Sequence, residues 1–284
     1  MPTHPLASTD AVPLQWREWP RAAARGTLLI VHGLGEHIGR YEAAAARFNA
    51  WGWRVAGMDL RGHGGSGGAR GGLPRGDAML DDLGRLIDAV RGAESAPLVL
   101  LGHSLGGLIA SRFVAEGLTA QPAPWWRDVN ALVLSSPALD PGMNGAQKLL
   151  LALLGRLAPQ FAVANGLKPA WISRDPRIVQ AYVADPLVHD RVTPALVRFI
   201  VDAGEQVRSL APSWRTQTLL LYAAADRCVA PRGSAAFAAA APPCVKAHEF
   251  AKLFHEIFNE PERDQVFAAL RSWLDAQVSD LTSA

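Results

Sequence analysis

Short runs dominated by Val, Leu and Ile alternate along the chain with longer stretches whose apolar residues recur at helical spacing. The short runs read as buried strands, because a sheet covered on both faces needs apolar side chains pointing both ways. They fall at Leu28–Val31, Arg54–Met58, Leu98–Leu101, Leu132–Ser135, Leu219–Tyr222 and Val245–Phe250. Helical patterns separate them at Tyr41–Trp51, Met79–Val90, Leu105–Glu116, Ser234–Ala241 and Glu262–Val278. The last opens on Pro261 and Glu262, which suits a first turn, where a missing donor and a negative charge are both tolerated. Alternation of this kind predicts βαβ units: an α/β fold with a mostly parallel central sheet flanked by helices.

Between about residues 140 and 210 the alternation stops. The text there is helical and punctuated by proline, in KLLLALLGRLAPQF, DPRIVQAYVADPL and TPALVRFIVDAGEQV, before TLLLY resumes the strand pattern. An all-helical insertion sitting over one end of the sheet as a cap is the economical reading. The expected organisation is a core in two parts, 1–139 and 211–284, interrupted by a cap over 140–210.

Composition narrows the class. Of 284 residues, 49% are hydrophobic and 19% charged, with a net charge of +2, the balance of a globular rather than a disordered chain. No run of five or more basic residues offers a nucleic-acid stripe, so nucleic acid is not an expected partner. The first twenty residues, MPTHPLASTDAVPLQWREWP, lack the basic and apolar regions of a secretory signal. No uninterrupted apolar stretch reaches the roughly 18 residues of a spanning helix, and a cytoplasmic location is the default expectation. Cys228 and Cys244 form neither a CxxC pair nor a metal-ligand cluster in sequence, so neither a disulfide nor a structural metal is expected.

The string LVLLGHSLGGLIA carries G-x-S-x-G as Gly102, Ser104 and Gly106, directly after a strand and at the start of a helix. A sharp strand-to-helix turn thrusts the serine hydroxyl outward, and side chains two residues before or after it would collide with neighbouring backbone. The helix behind it aims free N–H groups at the same point. Gly64, Ser66 and Gly68 match the same pattern, but RGHGGSGGARGG is too rich in glycine to begin a helix, which makes Ser66 a loop residue.

A serine hydroxyl needs a base, and the base an orienting acid. In this architecture the chain order is serine, acid, histidine. His255 follows the last strand in a loop, whereas His248 lies within that strand; the plainer reading of His255 is a surface or helix-capping residue. Two acids end apolar strands at the carboxyl edge of the sheet, where open α/β sheets place their sites. Asp226 follows LLLYAAA and is the favoured orienting acid, while Asp140 follows LVLSSPAL and otherwise caps or hinges the insert. The developing oxyanion calls for two backbone donors, for which Leu105, next to the nucleophile, and Leu34, in the turn His32-Gly33-Leu34-Gly35, are the candidates. The same glycines would also serve a plain tight turn.

Other motifs fail on context. Gly62, Gly64 and Gly67 satisfy GxGxxG, but no helix opens there to receive a dinucleotide. No GxxxxGK[ST] occurs, and His255-Glu256 is not followed by the second histidine of a zinc protease. Leu149–Leu157, Phe161 and Trp171 could line an acyl tunnel and touch lipid, or simply pack the cap onto the sheet. Trp125-Trp126 reads as a packing feature.

Taken in order, HGLGEHIGRY (32–41), DLRGHGGSGG (59–68), GHSLGG (102–107), SSPAL (135–139), DPLV (185–188), ADRCVAP (225–231) and HEIFNEPERDQV (255–266) resemble the monoacylglycerol lipase and lysophospholipase-like serine hydrolases of the α/β-hydrolase superfamily. The resemblance runs from about residue 15 to 275. It implies the α/β-hydrolase fold with a helical cap insertion, a triad of Ser104, Asp226 and His255, oxyanion donors Leu34 and Leu105, and no cofactor or metal. It also implies ester hydrolysis through an acyl-enzyme, on monoacylglycerol or similar single-chain lipid esters; transient membrane-surface contact through the cap is the expectation that goes with the apolar segment Leu149–Leu157. A short-chain carboxylesterase or lysophospholipase is the neighbouring expectation, and a noncatalytic small-molecule binding member is the one from another class. The chain departs from the family at Tyr222-Ala-Ala-Ala225, where a glycine-bearing stretch usually precedes the acid.

Overall fold

A computed structural model describes residues 3–91 and 96–281; residues 1–2, 92–95 and 282–284, which the expected core halves also span, lie outside the described residues. Eight strands form the main sheet: β1 (Thr3–Ala7), β2 (Pro13–Trp19), β3 (Thr27–Val31), β4 (Arg54–Asp59), β5 (Leu98–His103), β6 (Ala131–Ser135), β9 (Thr218–Ala223) and β10 (Val245–Phe250). Their order is β1-β2-β4-β3-β5-β6-β9-β10. β1, β2 and β4 pair antiparallel, and every other neighbouring pair is parallel.

The apolar runs become the inner strands β3, β4, β5, β6 and β9 because each buries both faces, whereas edge strand β10 buries only Phe250. Leu29, Val31, Leu100, Leu132, Leu134 and Leu220 enter one core, shared with α2 (Ala78–Arg91), α3 (Leu105–Glu116), α6 (Pro194–Leu210) and α7 (Pro231–Ala240). Leu28, Ile30, Val99, Leu101, Val133 and Leu221 enter the other, against α1 (Glu42–Ala50) and α8 (Arg263–Leu281). Adjacent residues of one strand therefore serve opposite layers.

The β1–β2 hairpin is an element the apolar runs do not announce. Its signal is weaker: Leu14 and Trp16 alternate with polar neighbours and are buried, while β1 carries no apolar run at all. Pro5 and the exposed outer side of β1 suit an edge strand.

Between β6 and β9 lie α4 (Gly145–Leu157), β7 (Val163–Ala164), α5 (Pro176–Ala184), β8 (Arg191–Val192) and α6. β7 and β8 form a two-stranded antiparallel pair, so this region is not all-helical as expected. Two-residue strands leave no periodic trace in a sequence. α6 turns Leu196, Phe199, Ile200, Ala203 and Val207 into the core beside α3, whereas α4 packs on α6 and leaves Leu149, Leu150, Leu153 and Leu157 exposed.

Candidate active site

β5 ends at His103, and Ser104 takes φ 52°, ψ −118° before α3 begins. Few side chains adopt such a backbone, and the fold holds it by hydrogen bonds on both sides. The Ser104 N–H donates to the Ser135 carbonyl at 3.0 Å, and the Ser104 carbonyl accepts from Leu108 and Ala138, each at 3.0 Å. The flanking glycines are required by contact. A Cβ at Gly106 would stand 2.0 Å from the Val31 carbonyl, and one at Gly102 would stand 2.4 Å from the Gly106 carbonyl. The second G-x-S-x-G match is a loop: the Ser66 hydroxyl donates to the Asp59 carbonyl at 2.6 Å and accepts from the Gln15 N–H at 2.9 Å.

The loop after β10 brings His255 beside Ser104, and the two line one cavity. The His255 Nδ1–H donates to Asp226 Oδ2 at 2.6 Å. That carboxylate is itself held, its Oδ1 accepting from the N–H groups of Cys228 (2.7 Å) and Val229 (3.1 Å). Burial opposes the imidazolium, but the Asp226 charge and hydrogen bond, helped by Glu256 and Glu36, outweigh it and raise the His255 pKa. Asp140 is elsewhere: its carboxylate accepts from the Gly142 N–H and from Arg232. His248 lies exposed on β10 against Phe250.

The Ser104 hydroxyl makes no hydrogen bond to His255 or to any other described residue. In ligand-free sites this contact is commonly long and tightens when substrate binds. The Leu34 and Leu105 N–H groups likewise have no protein acceptor among the described residues, and both residues line a cavity that Ser104 shares. Leu34 is held from both sides, since Gly33 donates to Glu36 Oε1 at 2.6 Å and the Gly35 carbonyl accepts from the His189 N–H at 2.9 Å.

Several residues here carry no role in the sequence reading. Glu36 is buried, accepting from the Gly33 N–H, from the Tyr41 hydroxyl at 2.8 Å and from Arg40 at 2.6 Å. Arg40 also forks onto Glu256 at 2.6 and 2.8 Å. Burial alone would raise the Glu36 pKa, but the Arg40 charge, with His103 and His32, holds it at about 2. His103 packs against His255 with centroids 4.7 Å apart and rings tilted by 50°; burial and the neighbouring His255 push its pKa down to about 4, which keeps it neutral. Glu36 and Arg40 stand four residues apart inside HGLGEHIGRY, and Glu256 adjoins His255, so their positions are legible although their pairing is not.

Two cavities meet at Ser104. A small one, about 40 Å³, carries the charged side chains of Glu36, Arg40, Lys168 and Glu256 beside apolar Leu167 and Ile172. A large one of about 640 Å³ is walled on the insert side by Leu150, Leu151, Leu154, Trp171, Val197 and Ile200, with Gln147, Asn165 and Arg227 also lining it.

The family model described as "Serine aminopeptidase, S33" of the Hydrolase_4 group matches residues 22–262. The chain belongs to this family. It is an α/β-hydrolase, and the same fold recurs in a crystal structure of the monoacylglycerol lipase of Paleococcus ferrophilus, at TM-score 0.80 and 33% identity, covering 93% of this chain and 99% of that one. The monoacylglycerol lipase of Mycolicibacterium smegmatis is 34% identical over 278 residues, 95% of this chain and 96% of its own length. An uncharacterised abhydrolase domain-containing protein of Dictyostelium discoideum is 30% identical over 280 residues, and there this chain spans only 29% of the relative's length.

Proposed function

We propose that this hydrolase cleaves carboxylic esters of single-chain lipids, with monoacylglycerol as the substrate class. The observation that carries the reading is the meeting, at a single serine, of a small cavity bearing charged side chains and a large cavity walled by leucines. The larger cavity, about 640 Å³, is in the range of pockets that bury a ligand of acyl-chain size. The charged and hydroxyl-bearing wall opposite suits a small alcohol such as glycerol.

In this reading Ser104 Oγ attacks the ester carbonyl while His255 Nε2 takes its proton, and Asp226 steadies the imidazolium through Nδ1. The N–H groups of Leu34 and Leu105 receive the oxyanion. The alcohol leaves with the proton from His255, an acyl-Ser104 ester remains, and water activated by His255 releases the fatty acid. The segment 140–210 serves as the cap within the two-part core. α4 is its lipid-facing element: Leu150 and Leu154 line the cavity while Leu149, Leu153 and Leu157 face outward, which suits transient contact with a lipid surface. No helix among the described residues is long and apolar enough to cross a membrane.

The test is a panel of glycerol monoesters, nitrophenyl esters, lysophosphatidylcholine and a peptide with a free amino terminus, run beside fluorophosphonate labelling. Labelling at Ser104 that Ser104→Ala abolishes, with glycerol monoesters cleaved fastest, supports the reading. Equal rates on simple nitrophenyl esters would make this a general carboxylesterase, faster lysophosphatidylcholine cleavage a lysophospholipase, and faster peptide cleavage an aminopeptidase. No labelling at all would make the chain a binding member of the fold.

A further inference from the structure

We propose that Asp226, Cys228 and His255 form an inhibitory site for a thiophilic divalent cation such as Zn²⁺ or Cd²⁺. In sequence Cys228 belongs to no ligand cluster, but folding brings it to the loop after β9 and sets it against the histidine that follows β10. One carboxylate oxygen, one thiol sulfur and one imidazole nitrogen then lie within 4.8 Å of one another.

Sulfur, nitrogen and oxygen together are a donor set that zinc accepts, at ligand separations of about 3.3–3.8 Å in a tetrahedral site, so small side-chain rotations suffice. The Cys228 thiol is free and has no hydrogen-bond partner among the described residues. Cys228 is half-buried and lines both cavities that meet at Ser104, so an ion reaches it by the route a substrate takes. The fourth coordination position would open toward that cavity, the arrangement of a three-ligand site completed by water. Burial first, and then the Asp226 and Glu256 charges, push the Cys228 thiol up and keep it protonated in the free protein, while the same two carboxylates make the spot attractive to a dication able to displace that proton. On binding, the thiol gives its proton to solvent and ligates as thiolate. The imidazole nitrogen facing Asp226 gives up the proton it donates, to Nε2 or to solvent, and ligates through the freed lone pair while Asp226 exchanges that hydrogen bond for the metal, so His255 no longer serves Ser104 as an oriented base.

The experiment uses the purified full chain, stripped with EDTA and dialysed into a non-chelating buffer. Cd²⁺ is first titrated while thiolate-to-cadmium absorption is followed in the ultraviolet. Wild type and Cys244→Ala should develop the band, and Cys228→Ala should lose it or need about tenfold more metal or greater. Hydrolysis of a soluble ester is then measured against Zn²⁺, each variant relative to its own metal-free rate. Micromolar Zn²⁺ should inhibit wild type and Cys244→Ala reversibly to EDTA, with half-inhibition of Cys228→Ala shifted by about tenfold or more. No band in wild type, or equal inhibition of Cys228→Ala, overturns the proposal. The absorption arm needs no turnover, so a failed ester assay counts against the proposed function and not against the metal site.

Discussion

Ser104 stands at a backbone geometry that costs energy, and such strain persists only where the surrounding contacts over-determine it. Its hydroxyl is the group whose removal should matter most. Ser104→Ala is expected to leave the unfolding transition near wild type while lowering ester turnover at least about a thousandfold, checked by denaturant unfolding beside initial rates. His255 links the site to pH. Its pKa is raised above the ordinary 6.5 because the Asp226 and Glu256 charges outweigh burial, and only the neutral ring accepts a proton from Ser104. Activity should therefore be lost as pH falls through a midpoint above the ordinary histidine value, with His103 too low to contribute. Asp226→Asn should lower both the rate and that midpoint in a kcat/KM–pH profile, and Asp140→Asn should change neither. Glu36 tests the buried polar wall. Glu36→Ala leaves Arg40 and the Gly33 N–H each short of a partner and should cost about 3 kcal/mol of stability in urea unfolding. Ser104 and His255 were visible as a motif and a chain order, whereas the network of Glu36, Arg40 and Glu256 joins residues 216 positions apart and has no local signature.

At the scale of elements, strand β3 and helix α3 meet so closely that Gly106 has no room for a methyl group. Gly106→Ala should push α3 off the sheet, cost about 3 kcal/mol and abolish fluorophosphonate labelling, because Ser104, the proposed nucleophile, caps the start of that helix. Gly155→Ala makes the contrast: it lies inside α4 with open space around it, so alanine should be neutral or stabilise by up to about 1 kcal/mol. Paired thermal melts distinguish the two. The inner parallel strands were readable because burial on both faces leaves unbroken apolar runs, which the exposed edge strand β10 does not have. The β1–β2 hairpin, half-covered at the sheet edge, shows only the Leu14–Trp16 alternation, and the β7–β8 pair is too short to show any period.

Across the whole molecule, α4 separates an acyl-sized cavity from solvent, with leucines on both sides of it. Replacing Leu149, Leu153 and Leu157 together by serine should weaken sedimentation with phospholipid vesicles and slow cleavage of vesicle-borne ester, while leaving cleavage of a soluble short-chain ester unchanged. Slowing on both substrates would place these leucines in packing rather than at a lipid surface. The sequence by itself determined the strand and helix alternation, the interruption near residue 140 and the serine at a strand-to-helix turn, since each is written in residues adjacent along the chain. The sequence and the family resemblance favour Asp226 over Asp140, and the fold supplies the contact between Asp226 and His255; tertiary structure alone decided that α6 joins the core while α4 stays outside it, and that Cys228 comes to lie beside the histidine. Those outcomes depend on how loops from different strands converge at one edge of the sheet, and convergence is a property of packing that no window of neighbouring residues contains.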